Sequence, residues 1–122
     1  MIRAALLLCT ALPVAACPLP APSLQQGNVQ AVWRADPVPI AVGRHFALLV
    51  QLCPADAVLA RVDATMPEHR HGMNYRPSLK PLGDGRWRVE GLMFHMPGRW
   101  QLRLDVQSGG TTTPLFDTLA LP

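Results

Sequence analysis

Nowhere from Asn28 onward in this 122-residue chain do apolar residues recur every three or four positions for long enough to make an amphipathic helix. Helical bundles and alternating helix–strand layers are thereby set aside. Cysteine is scarce: Cys9, Cys17 and Cys53 make up the complement, and no CxxC pair occurs, so a closed thiolate cage is excluded. Charge of one sign is lacking as well. Eleven basic residues stand against eight acidic ones, and one of the basic residues is Arg3 in the leader, which is too even a balance to call for nucleic acid or an anionic surface. No serine sits in a recognisable nucleophile turn and no carboxylate pair suggests acid–base work, so an enzyme is not expected.

The longest apolar run, Ala4 to Ala16, is broken only by Thr10 and Pro13 and is too short to cross a bilayer permanently. With Arg3 before it and small residues after it, it reads as a bacterial export signal over 1–16. Val14-Ala15-Ala16-Cys17 fits a lipobox, which makes Cys17 the expected lipid anchor and places the domain on the periplasmic side of the cell envelope. Plain secretion after Ala16 is the alternative. Export leaves Cys53 as a buried small hydrophobe, a metal ligand or half of a bridge, including one to an unlipidated Cys17. The proline-rich stretch 17–27 then reads as an extended tether to a domain over 28–122.

Within 28–122 the pattern is strand after strand. His45 to Leu52 puts Phe46, Leu48, Val50 and Leu52 on one face, and Val58 to Met66 alternates with Val58, Ala60, Val62 and Ala64 inward. Asn28 to Arg34 precedes them, closed by Pro37 and Pro39. Tyr75 to Leu82, carrying Pro77 and Pro81, reads as an edge strand. Arg86 to Met96 and Arg99 to Gln107 read as a hairpin about Pro97-Gly98, with Trp87, Val89 and Met93 facing Trp100, Leu102, Leu104 and Val106. Gly91 marks a possible bulge that would reverse the parity beyond it and leaves the direction of His95 open. Pro114 to Leu121 ends the chain. Six or seven short strands imply an all-β, immunoglobulin-like antiparallel sandwich, without the Cys-Trp-Cys pattern of an antibody domain.

Against this plain scaffold stands Met66-Pro67-Glu68-His69-Arg70-His71-Gly72-Met73, echoed by Met93-Phe94-His95-Met96-Pro97-Gly98. Soft thioethers select Cu(I), and imidazole suits copper in either oxidation state. In an extended stretch His69, His71 and Met73 share a face as a comb, and His95 with Met96 could join them from the second segment. Met66 and Met93 are weaker candidates because the parity of their strands already accounts for them as core; Cys53 is a third. Zinc remains open if Glu68 or Asp63 joins the two histidines. His45 reads as structural or exposed.

These residues give the stretch from Val62 to Val106 a resemblance to the YtkA-like family of small bacterial envelope proteins, related in pattern to FixH-like domains. The resemblance is carried by Asp63 to Tyr75, by Gly85, Trp87 and Gly91-Leu92, and by Phe94 to Trp100 with Leu102. It implies a sandwich that handles copper in the envelope, including supply to haem-copper oxidases, with His69, His71, Met73, His95 and Met96 as ligands. The partners implied are a copper ion and a copper-donating or copper-receiving envelope protein. A metal-free interaction module, using Trp33, Trp100 and the loop around Tyr75, is the competing expectation.

Overall fold

In a computed structural model, residues 17–122 are described, and they fold as two antiparallel sheets without a helix. The export signal expected over 1–16 lies outside them. The strands in order are β1 (Leu24–Gln26), β2 (Val29–Asp36), β3 (His45–Cys53), β4 (Val58–Met66), β5 (His71–Gly72), β6 (Ser78–Gly83), β7 (Arg86–Met93), β8 (Gly98–Ser108) and β9 (Thr111–Leu121). One sheet runs β1-β2-β3-β7-β6 and the other β5-β4-β8-β9. The all-β sandwich is therefore as expected, and the strands beyond seven are the short β1 and β5.

Alternation explains most of the core. Phe46, Leu48, Val50 and Leu52 from β3 meet Trp100, Leu102, Leu104 and Val106 from β8, all buried between the sheets. β6 takes the edge position its prolines require. Two strands depart from simple alternation. In β4 the register shifts between Leu59 and Arg61, so Leu59 is buried while Val58 is 43% exposed; Val58 and Ala60 do not point inward as expected. In β7, Gly91 has φ +86° and the pairing with β3 slips between Phe46 and Leu48. This is the bulge foreseen at Gly91, and beyond it Leu92 and Phe94 are buried. Met93 thus sits half-exposed off the inward parity assigned to it.

The expected β7–β8 hairpin does not form. β7 pairs with β3 and β6, whereas β8 pairs with β4 and β9, so 94–97 carries the chain from one sheet to the other across the end of the sandwich. His95 and Met96 lie on that crossover.

The stretch 17–27 is not a free spacer. Leu24 to Gln26 pair with β2, Leu19 is buried, and the Leu19 N–H donates to Gln30 Oε1 at 3.0 Å. Cys17 is joined to Cys53 by a disulfide. A sulfur in a disulfide is neither a lipid thioether nor a thiolate ligand, so neither the Cys17 anchor nor the Cys53 ligand describes the chain in this state.

The β6–β7 turn depends on Gly85. Its carbonyl accepts the Leu52 N–H at 2.8 Å, its φ is +75°, and a Cβ there would fall 2.7 Å from the Leu52 carbonyl oxygen and 3.0 Å from Ala55 Cα. Both neighbours are backbone and cannot step aside cheaply. Gly85→Ala is expected to destabilise the fold by about 1–3 kcal/mol, read from chemical denaturation; an unchanged midpoint would contradict the close approach.

Candidate metal centre

The Met66–Met73 segment folds as a tight hairpin. Met66 ends β4, the turn runs over 67–70 with the His69 N–H donating to the Met66 carbonyl at 3.1 Å, and Arg70 takes φ +52° to bring the chain back. His71 then pairs opposite Met66, and Gly72 opposite Thr65. The Met73 N–H donates to the Ala64 carbonyl at 3.1 Å. Because Met66 and Ala64 face inward, His71 and Met73, opposite them, lie on the inner side of the sheet at its rim. The comb is thus half realised: His71 and Met73 share a face, while His69 belongs to the turn. An ion pair between Glu68 and Arg99 ties that turn to the start of β8.

The second segment meets the first. The His69 and His71 rings are 6.3 Å apart between centroids, nearly parallel at 26°, and the His71 and His95 rings are also 6.3 Å apart, at 81°. With metal–nitrogen bonds of roughly 2 Å, two imidazoles on one ion have centroids about 5–6 Å apart, so each neighbouring pair is close to bridging distance. His69 and His71 are exposed and His95 is half-buried. Among the described residues, no three His, Cys, Asp or Glu side chains converge as one metal-binding group. The histidines form a row of pairs rather than one cage.

His95 is fixed by its surroundings. Its ring stands edge-on to Trp100 at 5.5 Å, Trp100 stacks on Phe94 at 4.7 Å, and the Trp100 indole N–H donates to the Met96 carbonyl at 3.1 Å. Its Nδ1 is buried with no protein partner. A buried nitrogen left unpaired costs about 1–3 kcal/mol, and a bound cation is one way to recover that cost.

The methionines divide. Met66 is 1% exposed in the core, and its Cε would lie 2.8 Å from a Cβ added to Gly98; packing accounts for it. Met73 and Met96 are half-buried and packed against the core. Met73 lines an open cleft of about 690 Å³ with Arg61, Tyr75 and Arg76, and the lining of that cleft contains none of the histidines. Neither carboxylate considered for zinc is free: Glu68 pairs with Arg99, and Asp63 pairs with Arg61 at 2.8 Å and accepts the Ala64 N–H. His45 is exposed and stands edge-on to Tyr75 at 5.2 Å.

Sequence reasoning missed the part played by Trp100 as the wall behind His95. A tryptophan five residues beyond a histidine carries no local signal of contact, because the contact depends on the crossover between sheets. Trp33 and Trp100, offered for the metal-free reading, are both engaged inside the domain, Trp33 through its indole N–H to Asp117 at 2.9 Å.

No protein-family model, no curated protein and no solved structure matches the chain.

Proposed function

We propose that this is an exported, non-catalytic domain of the bacterial cell envelope that binds copper as cargo, favouring Cu(I), and passes it to a partner protein. The observation that carries the reading is the approach of His71 and His95, from segments two dozen residues apart, with the buried Nδ1 of His95 lacking a partner. Imidazole nitrogens with thioethers nearby suit Cu(I), and the engagement of Glu68 and Asp63 elsewhere weighs against a zinc set completed by carboxylate. His71 and His95 are the principal ligands in this reading, His69 is an accessory one, and Met73 and Met96 are near enough along the chain to complete the shell. The YtkA-like resemblance, with its immunoglobulin-like sandwich and supply of haem-copper oxidases, supports the same assignment. A disulfide suits an oxidising compartment. With its sulfur held by Cys53, Cys17 fits a soluble periplasmic protein better than a lipid-anchored one.

Titrating the purified protein with Cu(I) against a chromophoric chelator, beside Zn(II), tests this. One equivalent of Cu(I) should bind, and a His71→Ala/His95→Ala variant should lose affinity by about a hundredfold or more. Equal binding by variant and parent would remove both histidines from the site.

A further inference from the structure

The reading above treats the histidines as one ligand set, whereas their geometry describes a sequence. His69 and His71 are exposed on the turn and β5; His95 is half-buried on the crossover, with its Nδ1 closed off from solvent and Trp100 behind it. Both neighbouring pairs have the same 6.3 Å ring separation, and His71 belongs to both. No three imidazoles or carboxylates among the described residues surround a single point.

We infer that the three imidazoles form a relay with two metal positions: an outer pair, His69 and His71, that captures Cu(I) from solution or a donor, and an inner pair, His71 and His95, that holds it. This rests on the copper-binding reading. Transfer proceeds by ligand exchange, with His71 staying bound while the ion trades the His69 nitrogen for a ring nitrogen of His95. One copper–nitrogen bond forms as another breaks, charge and oxidation state are unchanged, and release retraces the same steps.

Local structure fits the division of work. The outer pair sits on an exposed turn and β5, and the turn is tied to β8 by the exposed Glu68–Arg99 ion pair, a weak restraint that lets the turn adjust around an incoming ion. The inner nitrogen is held by the stacked Phe94 and Trp100 and by the indole bond to the Met96 carbonyl, which fixes the crossover. An exposed outer pair favours fast capture, and an inner pair held by packing favours slow loss.

The experiment follows transfer of Cu(I) from a chromophoric chelator complex to the protein in a stopped-flow instrument, with equilibrium affinity measured in parallel. His69→Ala should slow loading by about tenfold while leaving affinity within about threefold. His95→Ala should lower affinity by about thirtyfold or more with the fast capture phase retained. His95→Gln, which keeps most of the volume beside Trp100, separates ligand loss from disturbed packing and should behave as His95→Ala does. If His69→Ala and His95→Ala lower affinity equally, the three histidines make one site and the relay is wrong. If His69→Ala changes neither rate nor affinity, the outer pair has no role and the relay is wrong as well. Failure of the parent protein to take any copper would remove the proposed function and the relay together.

Discussion

Trp100→Ala should lower stability by about 3–5 kcal/mol, the range for truncating a large buried aromatic, and in a domain of this size depress the melting temperature by roughly 15–30 °C. Trp100 is 0% exposed near the start of β8, its ring lies on Phe94 at 4.7 Å, and Phe94 in turn touches Phe46 at 5.0 Å. This aromatic column joins the two sheets where the crossover passes between them. Removing the indole leaves a void, frees the Met96 carbonyl from its donor and takes away the wall behind His95. Trp100→Phe should recover part of the loss, since the stack survives and the hydrogen bond does not. Thermal melts followed by circular dichroism measure both variants. A change below about 1 kcal/mol for the alanine variant would show that the column does not hold the sheets together. A copper affinity unchanged in that variant, at a temperature where it is still folded, would show that His95 does not need its wall.

Several features of the fold can be read from local sequence because local chemistry decides them. β3 declares itself through Phe46, Leu48, Val50 and Leu52, β6 through its prolines, and the kink in β7 through Gly91. The bulge in β4 has no such marker. Leu59 and Val62 are separated by Ala60 and Arg61, and only the pairing of Arg61 with Asp105 on β8 shows that one residue is extra. Pro97-Gly98 illustrates the same limit. Its residues are those of a hairpin turn, yet whether strands flanking a turn pair with each other or with strands of opposite sheets depends on partners far along the chain. The stretch 17–27 has the composition of a spacer, but Leu19 and Leu24 supply apolar contacts and Gln30 supplies an acceptor that fasten it. At the candidate site, His69 and His71 were conspicuous because a turn gives histidine no packing role. The direction of His95 became determinate only with the crossover.

Breaking the Cys17–Cys53 bond without leaving a free thiol, by the Cys17→Ala/Cys53→Ala double variant, should cost about 3–4 kcal/mol while leaving copper affinity within about twofold. The bond closes a loop over a sequence separation of 36, and restricting the unfolded chain over such a span accounts for stabilisation of that order in the chain-entropy description. It also holds Leu19 and β1 against β2, so reduction should raise amide exchange along 17–26 before the rest of the sandwich opens. The separate expectation for copper follows from position. Cys53 ends β3, and His45, at the other end of the same strand, pairs with Met93 beside the crossover that carries His95. Nine residues of strand at roughly 3.3 Å each place the disulfide and the histidines at opposite ends of the sandwich, beyond the distance at which substitutions usually couple. Paired melts and Cu(I) titrations of the oxidised protein, Cys17→Ala, Cys53→Ala and the double variant check both parts. In stability the double variant should match either single one, since all three lack the same bond. A stability loss confined to Cys53→Ala would mean that filling the Cys53 site matters and the bond does not. A copper affinity that fell in the double variant would mean that the two ends of the sandwich communicate through β3.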